Sequence, residues 1–164
     1  MGKYKIISKP SYRAVGLKWD GPWSKINELK NIIHTMSVRV VELEKAVDPS
    51  IQLGLSYHIR KDGFTHYSVY EVTENQIVPE GMVEITVPAF TYILKEHRKG
   101  ENIGKSYDEI SQFLNDSDYR PFRDITVPYD VLPIKHERYP KDRDIEDPHF
   151  EILIPVVKKD KTKG

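Results

Sequence analysis

Apolar residues recur at helical spacing in two segments of the chain. From Trp23 to about Ala46 they follow alternating three- and four-residue steps, which form one continuous stripe along a helix. Pro22 suits the first turn of this helix, where its missing N–H would have no partner. A shorter stripe, ended by residues 115–118, predicts a second helix. The two stripes comprise Ile26, Leu29, Ile33, Met36, Val40 and Leu43, then Ile103, Tyr107, Ile110, Phe113 and Leu114.

The rest of the chain has the pattern of strands separated by turns. The Asp62-Gly63 pair between two alternating runs is a strong hairpin signal. The element order is strand, helix, strand, strand, and then the same again, which predicts an α+β fold. The predicted strands cover residues 4–7, 12–19, 53–59, 67–73, 83–95, 129–139 and 150–157.

This order is accompanied by a repeat in the residues themselves. The segment Lys9-Pro10-Ser11-Tyr12 resembles Val87-Pro88-Ala89-Phe90, and the helical stripes correspond with a shift of about 77 positions. The repeat predicts two βαββ units, about 1–75 and about 82–158, in one domain spanning 1–158, with 159–164 as a disordered basic tail. Coincidence among common βα patterns is the alternative. Pseudo-twofold packing would give antiparallel sheets with helices on the outer face, and the helix-free faces would meet around a central ligand cleft.

Composition excludes several classes of function. Lysines plus arginines equal aspartates plus glutamates at 25 each, so no basic excess suggests direct nucleic-acid binding. The absence of cysteine excludes disulfides and thiol chemistry. No apolar run approaches the roughly 18 residues of a membrane span, and the polar N-terminus lacks a signal peptide, which together predict a cytoplasmic protein. Ten tyrosines and two tryptophans against five phenylalanines favour half-wet pockets.

The strand near residue 137 carries the strongest candidate chemistry. Period-two alternation places Lys135, Glu137 and Tyr139 on one face and His136 on the other. We predict that the Glu137 face points into the cleft and the His136 face packs under a helix. A partly buried glutamate costs several kcal/mol unless it is paired or neutral, so its placement in a cleft suggests a use. The alternative is an exposed Glu137 paired with Arg138 or Lys135.

Aromatic residues of the first unit complete the predicted pocket. Tyr57 and Tyr67 are expected to face Glu137, while Tyr70, on the opposite face from Tyr67, is expected beneath the helix. Trp19 lines the cleft mouth or caps the core. The candidate ligand-binding residues are Glu137, Tyr139, Tyr57, Tyr67, Trp19 and Tyr92. The histidine spacings predict no metal site, and no nucleotide-binding motif is present, so no cofactor is expected.

Most of the chain resembles the GyrI-like small-molecule-binding family, which includes effector-binding domains of MerR- and AraC-type multidrug regulators. The resemblance rests on the order and spacing of several segments. They are the strand 66–72, Val78-Pro79-Glu80-Gly81-Met82, Val87-Pro88-Ala89-Phe90-Thr91-Tyr92, Phe113-Leu114-Asn115-Asp116-Ser117-Asp118-Tyr119, Glu137-Arg138-Tyr139, Ile152-Leu153-Ile154-Pro155-Val156 and Ala14-Val15-Gly16-Leu17.

The resemblance implies a duplicated βαββ fold in a stand-alone binding domain. It also implies that Glu137 is the central acidic residue that contacts cationic aromatic ligands, with Tyr139 as the aromatic residue two positions later. The chain departs from the family at Phe113, where tryptophan is frequent, and at Lys135, which could neutralise Glu137.

Three functions remain open at this point. The first is binding or sensing of a small hydrophobic ligand, cationic in one version, by an aromatic cleft with one glutamate. The second is hydrolysis of reactive electrophiles, with Glu137 as the general base and sole catalytic candidate. The third is a protein-interaction module of the gyrase-inhibitor type, and the sequence leaves open a protein partner or a homodimer.

Overall fold

Nine antiparallel strands form one continuous sheet in the computed structural model, which describes residues 4–123, 130, 132–144 and 146–160. Eight of the strands follow the order β1-β6-β9-β8-β3-β4-β2-β5, and β7 pairs with β9. The strands are β1 (Tyr4–Lys9), β2 (Tyr12–Pro22), β3 (Ile51–Tyr57), β4 (Gly63–Val72), β5 (Val83–Val87), β6 (Phe90–His97), β7 (Tyr119–Pro121), β8 (Ile134–Pro140) and β9 (Phe150–Lys158); the helices are α1 (Glu28–Arg39) and α2 (Ile103–Asn115).

The connections between strands require this sheet to curl. Residues 10–11 join β1 to β2, and residues 88–89 join β5 to β6, yet each pair lies six positions apart in the strand order. Six strand spacings would separate the pair by about 29 Å in a flat sheet. A two-residue link spans only about 10 Å. The ends of the sheet must therefore approach each other, which gives the sheet an inner and an outer face.

The two faces have different cores. On the inner face, Leu55 and Val69 from the middle of the sheet pack with Val87 and Phe90 beside the β5–β6 link. On the outer face, Met36 of α1 packs with Val15, Tyr70 and Val72, while α2 covers a separate cluster. That second cluster contains Ile93, Ile110, Leu114, Ile152 and Ile154. Both helices therefore lie outside the curl, as predicted.

The α+β class and the antiparallel pairing are confirmed, whereas several element boundaries differ. The first helix is shorter than residues 23–46: β2 pairs with β4 as far as Pro22, and 3-10 turns at Trp23–Lys25 and Val40–Glu42 flank α1. The strand predicted over 83–95 is two strands separated by Pro88. Strand β7 was not predicted. The start of the predicted strand 129–139 lies outside the described residues, since 124–129 and 131 are not described.

The strand order is compatible with the predicted duplication. If β1 is exchanged with β5, β2 with β6, β3 with β8 and β4 with β9, the result is the same strand order read from the other end. Strand β7 has no counterpart in the first unit. The pseudo-twofold axis itself and the two unit boundaries stay predictions.

Two further expectations concern the ends and the membrane. Of the predicted disordered tail 159–164, residues 161–164 lie outside the described part. Lys159 is described, and its backbone N–H donates to the Asp118 carbonyl at 2.7 Å. Within the described ranges, neither helix has the length and apolarity needed to cross a bilayer.

Candidate functional site

Glu137 lies at the centre of the sheet, on its outer face between the two helices. Strand β8 is flanked by β3 and β9, and Glu137 pairs across these strands with Gly54 and Ile152. Ile152 belongs to the core under α2. Gly54 also pairs with Ser68, whose neighbour Gln52 donates to the Ile33 carbonyl of α1. The Glu137 side chain therefore lies at the boundary between the part of the sheet covered by α1 and the part covered by α2.

Two tyrosine hydroxyls hold the Glu137 carboxyl group. Tyr107 of α2 donates to one carboxyl oxygen, and Tyr139, two residues along the same face of β8, donates to the other. Burial raises the pKa of Glu137 above its usual value, and the two hydroxyls and Lys135 oppose that rise by stabilising the anion. Burial and the nearby carboxyl group also raise the pKa of both tyrosines, so their hydroxyls stay protonated donors.

The predicted ion-pair partners of Glu137 are engaged elsewhere. Lys135 pairs with Asp130 at 2.9 Å and donates to the Leu132 carbonyl at 2.6 Å. Arg138 pairs with Glu151 at 2.9 Å on the inner face. Among the described residues, no cation lies within ion-pair distance of Glu137. The Glu137 side chain is half-buried. In the described part of the chain, its carboxyl group has two neutral hydrogen-bond donors and no counter-ion.

Gly54 leaves room for two aromatic rings beside Glu137. A Cβ atom at this position would lie 3.1 Å from His66 Cε1 and 3.3 Å from Tyr139 Cε2, so a side chain would press on both rings. Because Gly54 has no side chain, the rings of His66 and Tyr139 pack close together over β3, next to Glu137. We refer to the surface formed by Gly54, His66, Tyr107, Glu137 and Tyr139 as the central groove.

Aromatic rings continue from the central groove toward the start of α1. Phe64, two residues before His66 on the same face of β4, stacks on His58 with ring centroids 4.7 Å apart. Trp23 packs on Phe64 at 4.9 Å and is 46% exposed. Burial lowers the pKa of both His58 and His66 to about 4, so both imidazoles are neutral at pH 7. This extension is apolar and uncharged.

The predicted partners Tyr57, Tyr67 and Tyr92 lie on the inner face, so the expectation that Tyr57 and Tyr67 face Glu137 is wrong. They surround His136 instead: Tyr57 and Tyr92 share hydrogen bonds with its ring nitrogens at 3.2 and 3.5 Å, and Tyr57 meets Tyr67 edge-on at 5.9 Å. The expectations that Glu137 points to the helix-free side and that His136 packs under a helix are also wrong, because Glu137 contacts Tyr107 of α2. The helices bury one face of the sheet, and the curl buries the other. The period-two pattern of a strand therefore does not indicate which of its faces carries the helices.

Two other aromatic predictions have different outcomes. Tyr70 packs beneath α1 with Met36, as predicted. Trp19 is on the outer face but is 7% exposed, packs on Phe64 at 5.2 Å, and donates its indole N–H to Glu28 at 3.1 Å. Its position agrees with the alternative of a residue that caps the core.

Sequence reasoning missed four residues of this region: Gly54, His66, Tyr107 and Trp23. Tyr107 was assigned only to the apolar stripe of α2. A tyrosine on a buried helix face carried a usable signal, since its hydroxyl needs a polar partner and the facing strand contains Glu137. Gly54 gave the signal of a glycine inside a strand, which often marks a close approach.

A curled antiparallel sheet with two helices on its outer face defines an α+β domain. The chain belongs to the GyrI-like family: residues 2–157 match the GyrI-like small molecule binding domain. The transcriptional regulator BrlR of Pseudomonas aeruginosa is 28% identical over 113 residues, which are 67% of this chain and 41% of BrlR. The chain therefore spans about two fifths of the length of this relative.

Solved structures share the fold at low sequence identity. The structure of SAV2435 bound to tetraphenylphosphonium has a TM-score of 0.66 and 15% identity, with 94% of each chain covered. The C-terminal domain of EcmrR has a TM-score of 0.64 and 15% identity, covering 96% of this chain and 98% of that domain. A structure titled as a hydrolase from Listeria innocua has a TM-score of 0.58 and 12% identity, covering 94% of this chain and 92% of its own.

Proposed function

We propose that this domain binds a hydrophobic organic cation in the central groove, with the Glu137 carboxylate as counter-ion. The observation that carries the proposal is a half-buried carboxyl group without a cationic partner in the described residues. Two tyrosine hydroxyls orient it, and the adjoining surface is aromatic. A desolvated cation gains from both the carboxylate and the ring faces, the latter by roughly 0.5–2 kcal/mol each.

The energetics of the free protein support this assignment. An ionised Glu137 is costly in the free domain, because burial raises its pKa and its hydrogen-bond partners are neutral. A bound cation would supply the missing charge partner and bring the pKa down. The site therefore has more to gain from a cation than from a neutral ligand of the same shape.

Calorimetric titration with tetraphenylphosphonium tests the proposal, and tetraphenylborate is a matched anion of similar shape. We expect measurable binding of the phosphonium and at least tenfold weaker binding of the borate. Glu137→Gln should weaken phosphonium binding tenfold or more, since removal of a charged partner costs roughly 1.5–3 kcal/mol. It should also erase the preference for the cation.

Glu71→Gln is the control, because Glu71 shares the inner face with Tyr67 and Val69 and the substitution removes the same charge. Its affinity for the phosphonium should equal that of the unmodified protein. Equal loss in both variants would indicate a non-specific charge effect. Unchanged binding by Glu137→Gln would exclude the central groove as the cation site.

A hydrolytic use of the same groove is the second candidate function. The raised pKa of Glu137 suits a general base near neutral pH, and Tyr107 could polarise an electrophile. Incubation with an electrophilic ester distinguishes the two functions: a hydrolase would turn over the ester and lose that activity in Glu137→Ala. A pure binding domain would show no time-dependent product above the rate of the variant.

A further inference from the structure

A large concavity lies at one mouth of the curled sheet, beside the β5–β6 link. Its volume is about 610 Å³, which is within the range of pockets that hold drug-sized ligands. Tyr57 and Ile134 enter it from the ends of β3 and β8, and Phe122 and Val157 lie across from the link. We call this concavity the mouth pocket. Its described lining also includes Pro88, Ala89, Phe90, Thr91, Tyr119, Val156 and Lys158.

Two residues at the base of the mouth pocket, Tyr57 and Ile134, lie on the opposite face of the sheet from Glu137. Tyr57 pairs with Ile134 across β3 and β8, and both point to the inner face with His136. Glu137 points to the outer face, where Tyr107 and Tyr139 hold it. A ligand in the mouth pocket would therefore be separated from the central groove by the sheet itself.

The chemistry of the lining is that of a site for an apolar anion. Phe90 and Phe122 pack with ring centroids 4.9 Å apart and form an aromatic wall. In the described lining, Lys158 is the one charged side chain. Its side chain is exposed and has no ion-pair partner within the described part of the chain. A ligand with an apolar body and one negative group would match this arrangement.

The other mouth of the curl, beside the β1–β2 link, differs in both size and charge. Its concavity is about 240 Å³ and includes Lys9, Asp48, Glu71 and Arg138. Charges of both signs stand there next to each other, so a single ionic group on a ligand would gain little. The repeat therefore supplies two related mouths, of which one combines large volume with a single sign of charge.

We propose that the mouth pocket is a second small-molecule site, which takes an apolar organic anion such as an aromatic carboxylate or sulfonate. The aromatic wall and Ile134 receive the body of the ligand, and Lys158 at the rim pairs with its anionic group. This site is independent of the cation site assigned to the central groove, so its test does not depend on that assignment.

Fluorescence titration with 1-anilinonaphthalene-8-sulfonate, an aromatic sulfonate, tests the proposal on the full chain. Ala89→Trp places a bulky ring at an exposed lining position and should weaken probe binding at least tenfold. Lys158→Gln should weaken it about threefold or more at low salt, and the difference should shrink as salt screens the charge. Lys158→Gln changes one exposed side chain and carries the test if Ala89→Trp does not fold.

Two matched substitutions serve as controls. Ser11→Trp adds the same ring at the equivalent exposed position of the other link, and Lys61→Gln removes an exposed cation from the β3–β4 hairpin. Both should bind the probe as the unmodified protein does, and so should Glu137→Gln. Wild-type affinity in both Ala89→Trp and Lys158→Gln would overturn the proposal. Displacement of the probe by tetraphenylphosphonium at matching occupancy, with loss of probe binding in Glu137→Gln, would assign the probe to the central groove instead.

Discussion

Strand β8 carries two adjacent ionisable side chains that the fold treats in opposite ways. His136 points to the inner face, is 3% exposed, and has tyrosine hydroxyls near both ring nitrogens; burial lowers its pKa to about 3. Glu137 points to the outer face, is half-buried, and also has two tyrosine donors, but its carboxylate has no counter-ion among the described residues. A neutral group with satisfied hydrogen bonds contributes to stability, whereas an unpaired buried carboxylate costs stability.

The largest expected effect is on the inner face, where tyrosine is part of the core. Tyr92 is 1% exposed and packs with Leu94 and Leu153. We expect Tyr92→Ala to lower the free energy of unfolding by about 3–5 kcal/mol, because it leaves a large cavity under the curl. Urea unfolding followed by circular dichroism measures this change. A loss below about 1 kcal/mol would mean that the inner face is not a close-packed core.

The pH dependence of stability should separate the buried histidines from Glu137 by sign. His58, His66 and His136 have pKa values lowered from 6.5 to about 4, 4 and 3, so the unfolded chain binds more protons than the folded one below pH 6.5. Stability is then full above pH 6.5 and falls as the pH drops toward the folded-state values. Glu137 acts in the opposite sense. Because its pKa is raised on folding, its contribution to folding stability is full below pH 4.5 and is lost as the pH rises through the folded-state pKa.

Thermal melting between about pH 7.5 and 4.5 checks this expectation. The melting temperature of the unmodified protein should decrease on acidification. Glu137→Gln should raise stability at neutral pH by about 1 kcal/mol and steepen the acid loss, because its opposing contribution is gone. A melting temperature that stays constant across this range would contradict the assignment of three buried neutral histidines.

The smallest expected effect concerns the hydroxyl that α2 contributes to the central groove. Tyr107→Phe removes one donor to Glu137 and should raise the pKa of that carboxyl group further. We expect the free energy of unfolding to change by about 1 kcal/mol or less and phosphonium affinity at neutral pH to fall about threefold. Tyr67→Phe, on the inner face, is the control and should leave affinity unchanged.

Sequence patterns predicted the class of fold because local signals and the repeat agreed. The second helix was predicted closely, since its stripe ends at a cluster of polar residues after Leu114 and Asn102 caps its start by accepting from the Lys105 N–H. The break at Pro88 was not predicted. The apolar positions are Val83, Ile85 and Val87 before it and Phe90, Tyr92 and Leu94 after it, so the alternation changes phase there. Strand β5 is the last strand in the order, and β6 is the second from the other end.

The candidate site was only partly predictable for a reason of layer geometry. Glu137 and Tyr139 were correctly predicted to share one face of their strand, but that face is the one that carries the helices and not the predicted helix-free face. Which face carries the helices depends on the curl of the whole sheet, and each residue's own sequence neighbours do not encode that curl. Tyr57 and Tyr67 were therefore paired with Glu137, whereas Tyr57 contacts His136 and Tyr67 packs on Tyr57.

The most direct test of the central claim is the titration of the Glu137 carboxyl carbon by NMR, without and with saturating tetraphenylphosphonium. Burial should hold the pKa of Glu137 above the ordinary 4.5 in the free domain. The phosphonium should lower this pKa, because a cation beside the carboxyl group favours its ionised form. A pKa that is already at its ordinary value in the free domain, or that does not respond to the bound cation, would rule out Glu137 as the cation's counter-ion.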